Sequence, residues 1–450
     1  MVKRLDKELN MNTSFIKNTS WLVSGQIIQM ILSLVIGMIS ARYLGPSNYG
    51  ALNYVTAIVS IFEPITMLGL YAIVVNELVT KVEKSGEIIG SAICLRLFVG
   101  LISSLLVIVI IKVLHPHDDV LFIIALLLSL SLIFRAFDIF NYWYQSQLKS
   151  KYTASISLFA YIIVSGYKIY LLITKKNIQW FAFATSLNFL IIAALYFTIY
   201  KISNGSNLRF SINTSKNLLS RSYHIIISTI FSSIYLHIDK IILGNTLDAK
   251  AVGLYTAAVT VSNIWIIIPG ALIDSSRPII MRLKEEDNRL YLKRLRQISA
   301  VIIWLGLLVA IFINIFAKNI IHLLYGSDYI QAVSTLKIYS WAAIFPFLNS
   351  IRTIWFICED KIRFEKLLSL FGLLISPLIS YILIIEYGIE GAALSVIFSR
   401  MLLTIIIPLL ITETKEIVLI YKDAILLKDI ISKGDKENIF NILRSRFIKK

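Results

Sequence analysis

The stretch Ala41–Ala57, with the sequence ARYLGPSNYGALNYVTA, separates two strongly apolar segments of the chain. It places Gly45, Pro46 and Gly50 within six positions. Glycine adopts turn conformations easily, and proline is well suited to the first turn of a helix. Each apolar flank is about as long as the roughly 20 residues that a helix needs to cross a bilayer. The stretch therefore predicts a turn between two membrane-spanning helices.

The same apolar character extends along the whole chain. Its 450 residues are 57% hydrophobic and only 16% charged, whereas a soluble domain is about 25% charged. The apolar runs are continuous rather than alternating, which disfavours a membrane β-barrel. A helix satisfies its own backbone hydrogen bonds in lipid. The sequence therefore predicts an all-α integral membrane protein.

We predict twelve membrane-spanning helices in two bundles. Their approximate limits are 20–41, 49–72, 87–111, 119–143, 152–173, 178–200, 222–243, 252–275, 298–319, 332–357, 366–386 and 391–413. The polar segment 201–221 lies near the midpoint, so we expect a six-helix lobe over 1–200, a cytoplasmic linker over 201–221 and a second six-helix lobe over 222–413. The tail 414–450 alternates apolar and charged residues, which favours an amphipathic helix on the cytoplasmic membrane surface.

The basic residues are distributed unevenly over the predicted loops. With a cytoplasmic N-terminus, 31 of the 44 lysines and arginines fall in cytoplasmic segments and six in outer loops. This asymmetry follows the positive-inside rule and predicts that both termini are cytoplasmic. The net charge of +17 is spread over many loops, so the sequence gives no reason to expect nucleic-acid binding.

The opening stretch has a counterpart in the second half of the chain, ILGNTLDAKAVGLYTAA over residues 242–258. Gly45 corresponds to Gly244, Gly50 corresponds to Gly253, and each copy is followed by a proline, Pro64 or Pro269. Proline kinks a membrane helix. Two halves that each contain a glycine-rich turn and a bent helix indicate a duplicated transporter with hinge-side turns.

These residues resemble a known family, the polysaccharide flippases of the O-antigen (Wzx) type. Further stretches that carry the resemblance are YWYQSQLKSKYTA (142–154), HIDKIILGNTLDAKAVGLYTAA (237–258) and LLYGSDYIQA (323–332). The resemblance extends over about residues 15–411. The family is part of the MATE-like MOP superfamily, which also contains multidrug antiporters and the lipid II flippase.

The resemblance implies a fold and an activity. The fold would be two six-helix lobes around a V-shaped central cavity that opens alternately to each side of a bacterial inner membrane. The cargo would be an undecaprenyl-diphosphate-linked oligosaccharide, moved to the outer leaflet for synthesis of O-antigen or capsule. Membrane lipid, a polysaccharide polymerase and a chain-length regulator would be partners, and no cofactor is expected.

Basic side chains inside the predicted spans are candidates for substrate contact, since buried charge in a membrane is costly and tends to be functional. Arginine in particular binds phosphate with two parallel hydrogen bonds. The candidates for the substrate cavity are Arg96, Arg135, Arg400, Lys168 and Arg352. Alternatively, Arg135 pairs with Asp138 along one helix face, while Lys168 and Arg352 extend to the membrane interface.

Acidic side chains in the spans are candidates for ion coupling, and they are Glu63, Asp138 and Asp274. Glu63 precedes Pro64, where a kink would free a backbone carbonyl beside a carboxylate. The alternative for Glu63 is an ion pair with a neighbouring basic group. Asp274 has the alternative of pairing with Arg277, one helical turn away.

Aromatic and histidine residues give weaker indications. The run Tyr142–Tyr144 can stack against sugars in a cavity, but a membrane-interface belt is the favoured interpretation. The segment His115–Asp119, HPHDD, lies on a short outer loop without further ligands, so no metal site is expected.

The sequence contains no glycine-rich phosphate loop followed by Lys-Ser or Lys-Thr, so no ATPase site of its own is expected. We therefore expect a transporter and not an enzyme. A drug or metabolite antiporter with the same fold is the first alternative. A membrane polysaccharide polymerase or glycosyltransferase is the second, disfavoured because the predicted outer loops are short.

Overall fold

The computed structural model describes the backbone over residues 2–147 and 149–428, with side chains for residue 25 and for 28–147, 149 and 151–428. Within these ranges the chain is helical, without a β-strand. Eight helices occupy the first part: α1 (Val2–Met67), α2 (Tyr71–Thr80), α3 (Ser85–Leu114), α4 (Asp119–Phe134), α5 (Ile139–Ser146), α6 (Ser150–Ile173), α7 (Ile178–Ile202) and α8 (Ile212–Thr246). The other eight are α9 (Ala249–Ser262), α10 (Ile267–Glu286), α11 (Asn288–Tyr325), α12 (Ala332–Tyr339), α13 (Phe345–Cys358), α14 (Arg363–Met401), α15 (Ile407–Leu410) and α16 (Lys415–Ile425).

Ten helical stretches of the described chain are long and apolar enough to cross a membrane. Two of them, Ile28–Thr80 and Arg363–Leu410, are 53 and 48 residues long, and each overlaps two of the predicted spans. The first is interrupted at Gly45 (φ +72°) and the second at Gly388 (φ +60°), which are backbone conformations that glycine tolerates. The all-α fold with about twelve spans is confirmed.

The described chain divides into two compact units. Unit 1 comprises the described part of Met1–Thr256 together with His322–Tyr329, and unit 2 comprises Ala257–Ile321 together with the described part of Ile330–Lys450. These bounds differ from those of the predicted lobes because α8 belongs to unit 1. The assignment of six spans to each lobe stays a prediction. Each unit has its own apolar core. The buried residues of the core in unit 1 come from between positions 68 and 218, and those in unit 2 from between positions 265 and 424.

The segment between α7 and α8 packs closely on unit 1. The backbone N–H of Arg209 donates to the carbonyl of Gly86 (3.1 Å), and a Cβ added to Gly86 would lie 2.2 Å from the carbonyl oxygen of Asn207. The hydroxyl groups of Ser85 and Ser206 are hydrogen bonded at 2.8 Å. Only residues 203–211 of the predicted linker 201–221 lie outside the helices, since α7 ends at Ile202 and α8 begins at Ile212.

The tail helix α16 is amphipathic, and protein covers its apolar face. Ile417, Ile420 and Ala424 are buried in the core of unit 2. The Tyr421 hydroxyl donates to the carbonyl of Leu348 at 2.6 Å. Helix α16 therefore docks on neighbouring helices, while residues 429–450 of the predicted tail lie outside the described residues.

The two copies of the repeated turn contact each other within unit 1. A Cβ added to Gly50 would lie 1.6 Å from the carbonyl oxygen of Ala249, and one added to Gly253 would lie 2.0 Å from that of Pro46. Such distances leave no room for any side chain. The matched glycines therefore allow backbone-to-backbone packing of the two turns.

Candidate functional site

A cavity of about 500 Å³ lies in unit 1 where α1 gives way to α2, and α8 forms its opposite wall. The helix breaks at Leu68 (φ +54°) and Gly69 (φ +57°), both in the left-handed region, which costs least for glycine. A Cβ at Gly69 would lie 2.8 Å from the Ile225 side chain. The glycine thus lets the break pack against α8, and the break directs Tyr71 into the cavity wall.

Glu63 lines this cavity and pairs with Arg135. Its Oε1 accepts from Arg135 Nη2 at 2.9 Å. Arg135 begins the short 3-10 turn Arg135–Asp138 between α4 and α5, and its guanidinium lies 4.1 Å from the centre of the Phe189 ring. The exposed fractions are 15% for the Arg135 side chain and 29% for Glu63, so the pair is largely shielded by protein.

A second ion pair lies beside the first. Arg96 is fully buried, with Nη2 at 4.0 Å from Asp138 Oδ2. Its Nε donates to the carbonyl of Thr66 at 3.1 Å, one of the last carbonyls of α1, which lack partners within their own helix. Its guanidinium also lies 5.9 Å from the Tyr142 ring centre.

The structure therefore brings four predicted residues together: two candidates for substrate contact and two for ion coupling. Arg135 pairs with Glu63 and Arg96 with Asp138. The alternative of an Arg135–Asp138 pair along one helix is replaced by two pairs that each join different elements. Two arginines and two carboxylates cancel in formal charge, as expected for charges held at membrane depth.

Arg352 occupies a buried polar cluster in unit 2. Its Nη1 donates to the carbonyl of Leu403 at 2.8 Å and its Nη2 to Glu365 Oε1 at 3.1 Å. Leu403 lies in a π-helical turn, Leu402–Ile406, and such turns leave backbone carbonyls without their usual partners. Nearby, the hydroxyl of Thr404 donates to Asn349 Oδ1 at 2.7 Å. Arg352 is therefore held by protein groups in the interior of unit 2.

The remaining charged candidates lie apart from these clusters. Arg400 donates to the carbonyl of Ala342 at 2.9 Å and to the Tyr339 hydroxyl at 3.3 Å. Lys168 is half-buried on α6. Asp274 is largely exposed, and its Oδ1 lies 3.5 Å from Arg277 Nη2, which is the pairing given above as its alternative.

Several cavity residues escaped the sequence-based selection. Besides Glu63 and Tyr142, which the sequence analysis considered, the polar or aromatic residues of the wall are Ser60, Tyr71, Thr229, Ser232, Ser233 and His237. The Leu-Gly-Leu step at 68–70 is the only local signal, because it marks the helix break that turns Tyr71 inward. The interface-belt interpretation of Tyr142–Tyr144 is wrong, since all three side chains are buried in the core of unit 1.

The HPHDD segment has structural contacts. His115 Nε2 lies 2.9 Å from the Tyr54 hydroxyl. Asp118 caps α4 by accepting from the backbone N–H of Leu121 at 2.9 Å. Over the described ranges, no three His, Cys, Asp or Glu side chains are grouped to hold a metal ion.

A helical bundle with this many spans and with ion pairs beside an internal cavity defines a polytopic membrane protein of the transporter type. Residues 15–284 match the family described as polysaccharide biosynthesis protein, which is more than half of the chain. The chain belongs to this family, which confirms the resemblance noted in the sequence.

Individual relatives agree with this placement. The chain is 22% identical over 399 residues to the capsular polysaccharide biosynthesis protein CapF of Staphylococcus aureus, covering 86% of this chain and 96% of CapF. Its fold is similar to the lipid II flippase MurJ in an inward closed conformation, with a TM-score of 0.70, 14% identity, and 94% and 95% of the two chains covered. An inward-facing MATE family transporter of the MOP superfamily has a TM-score of 0.65, 14% identity, and coverage of 88% and 96%.

Proposed function

We propose that this chain is a flippase that moves a polyprenyl-diphosphate-linked oligosaccharide from the cytoplasmic to the outer leaflet during surface polysaccharide synthesis. The observation that carries the proposal is the family match over residues 15–284 in a chain with ten membrane-spanning stretches in its described part. A polysaccharide biosynthesis protein embedded in this way is suited to act on an intermediate that is itself held in the membrane. The shared fold with a lipid II flippase supports the same class of cargo.

Transport follows from alternating access, in which inward- and outward-open states bind the cargo with different affinities. Lys168 of unit 1 and Arg400 of unit 2 stay separate candidates for contact with the cargo. Arg96 and Arg352 are buried with carbonyl and carboxylate partners, which favours a structural role for both. Arg135 contacts cargo only if Glu63 releases it.

Ion coupling, if the cycle uses it, is assigned to the paired carboxylates of unit 1. Glu63 faces the cavity and Asp138 lies behind it next to Arg96, so both can respond to a change of charge in the cavity. Asp274 is exposed beside Arg277, which favours a surface ion pair over coupling.

The proposal places the protein in a bacterial inner membrane with both termini in the cytoplasm. It also gives the protein functional neighbours: the enzymes that build the lipid-linked unit on one side, and a polymerase with its chain-length regulator on the other. The excess of basic residues in the predicted cytoplasmic segments supports this orientation.

An accumulation assay tests the proposed function. We expect deletion of the gene to stop display of the polymer and to leave the complete lipid-linked repeat unit on the cytoplasmic leaflet. Re-expression of the wild-type chain should restore display, and expression of an unrelated multidrug antiporter provides the matched control.

Other outcomes would replace the proposal. Single repeat units displayed on the outer surface would identify a polymerase, and an incomplete lipid-linked unit would identify a glycosyltransferase. Normal display combined with new sensitivity to toxic cations would instead identify a drug antiporter of the same fold.

A further inference from the structure

We propose that the cavity of unit 1, lined by Glu63, Tyr71, Tyr142, Thr229, Ser232 and His237, is a sugar-binding subsite. It would hold an uncharged part of the glycan while the diphosphate lies elsewhere. This inference rests on the proposed function, which it deepens by naming where and how the glycan is recognised.

Tyr71 provides a flat apolar surface of the kind against which the C–H face of a sugar ring packs. Its side chain lines the cavity and the residue is 51% exposed. Two contacts hold the orientation of the Tyr71 side chain. Its hydroxyl donates to Gln145 Oε1 at 2.6 Å, and its ring packs edge-to-face on Tyr142, with centroids 5.1 Å apart. A ring held in this way loses little conformational freedom on binding.

The polar groups of the cavity wall are mainly acceptors. The hydroxyl of Thr229 donates to the carbonyl of Ile225 (2.9 Å) and that of Ser232 to the carbonyl of Ser228 (3.0 Å). Their oxygen lone pairs remain available to a ligand. The Glu63 carboxylate adds further acceptor capacity, since Arg135 contacts only its Oε1. Sugar hydroxyl groups supply donors of the matching kind.

The charge of the cavity wall disfavours binding of the diphosphate part of the cargo. Among the described residues that line this cavity, none is a lysine or an arginine. Glu63 is already paired with Arg135, so the wall offers a phosphate group no net positive charge. A bare cation would also suit acceptor oxygens, but a cavity of about 500 Å³ with a tyrosine wall has the size and composition of a small-molecule pocket.

The test compares two lipids as cargo for the full-length protein in liposomes. One probe is the lipid-linked repeat unit purified from cells that lack this chain, and the other is polyprenyl diphosphate without sugar. We expect Tyr71→Ala to slow transfer of the glycosylated probe by about 3- to 10-fold, the loss of one well-packed aromatic contact, and to leave the sugar-free probe unaffected. Tyr71→Phe should stay close to wild type because it keeps the ring.

Two more variants separate a loss of sugar binding from a general loss of folding. Thr229→Val removes an acceptor at nearly unchanged shape, and it should also slow only the glycosylated probe. Tyr381→Ala is the matched control, because Tyr381 is an exposed tyrosine of α14 (53%) outside the cavity. It should transfer both probes at the wild-type rate.

The other results would overturn either the subsite or the proposed function. Equal slowing of both probes by Tyr71→Ala would assign Tyr71 to the transport movement, and unchanged transfer would remove it from recognition. If the effect of Tyr71→Ala on transfer disappears when K⁺ replaces Na⁺ in the liposome buffer, the cavity binds a cation and not a sugar. A wild-type protein that moves neither probe would instead overturn the proposed function itself.

Discussion

At the scale of single residues, the Glu63–Arg135 pair is the feature that mutation should affect most. Removing one partner of a buried pair leaves an uncompensated charge, at a cost on the order of 3 kcal/mol. A carboxylate can take up a proton, whereas a guanidinium stays charged. We therefore expect Glu63→Gln to lower thermal stability in detergent more than Arg135→Gln does, and the double variant to lie closer to wild type than Glu63→Gln.

The exposed pair of Asp274 and Arg277 provides the control for this prediction. Its Asp274 side chain is 76% exposed, and exposed ion pairs contribute about 0–1 kcal/mol. Asp274→Asn should therefore leave the melting temperature nearly unchanged. If the double variant is no more stable than Glu63→Gln, the two side chains are not coupled and the pair has no stabilising role.

The sequence located the charged residues within the apolar runs but not how they pair. Glu63 and Arg135 are 72 positions apart, and helical periodicity relates only residues on the same helix. For this reason the Arg135–Asp138 alternative was open, and the cross-helix pairs were not predictable. Tyr71 was missed for a similar reason, because a tyrosine in an apolar run has the same signature whether it faces lipid, core or cavity.

At the scale of structural elements, the contact between the two repeated turns depends on glycine. A Cβ at Gly50 would lie 1.6 Å from the Ala249 carbonyl oxygen, a distance at which the two backbones must separate. We expect Gly50→Ala to lower both thermal stability and lipid transfer in liposomes. Gly253→Ala should have the same effect, because its Cβ would meet the Pro46 carbonyl oxygen at 2.0 Å.

A glycine of the same α1 helix supplies the comparison. A Cβ at Gly37 meets nothing within 4 Å, and alanine is favoured over glycine inside a helix by about 1 kcal/mol. Gly37→Ala should therefore keep or slightly raise stability and leave transfer unchanged. Wild-type behaviour of Gly50→Ala would show that the turns separate without consequence and would remove the contact from the transport cycle.

The elements themselves were largely predictable, and their environment was not. Apolar length located the spans. The predicted turn at Gly45, and the predicted boundary between spans 366–386 and 391–413, fall where the two longest helical stretches are interrupted, at Gly45 and Gly388. The sequence could not show whether the tail helix lies against lipid or against the rest of the protein. The apolar face of α16 has one sequence pattern, whether lipid or protein covers it, and in the structure Ile417 and Ile420 are packed in the core of unit 2.

At the scale of the whole molecule, the distribution of basic residues predicts how the chain is oriented in the membrane. Six of the 44 lysines and arginines lie in predicted outer loops, against 31 in cytoplasmic segments. Helices that insert with basic loops on the cytoplasmic side satisfy the positive-inside rule. The outer loop that contains Lys176 and the cytoplasmic segments that contain Lys216 and Lys422 should therefore lie on opposite sides.

Single-cysteine labelling tests this orientation in a background where the free cysteines Cys94 and Cys358 are replaced by serine. The side chains at 176, 216 and 422 are all exposed, so accessibility to the reagent differs only through the membrane. A membrane-impermeant maleimide added to intact spheroplasts should label Lys176→Cys, and it should label Lys216→Cys and Lys422→Cys only after lysis. The reverse pattern would invert the topology, and with it the direction in which the proposed flippase presents its cavity to a cytoplasmic cargo.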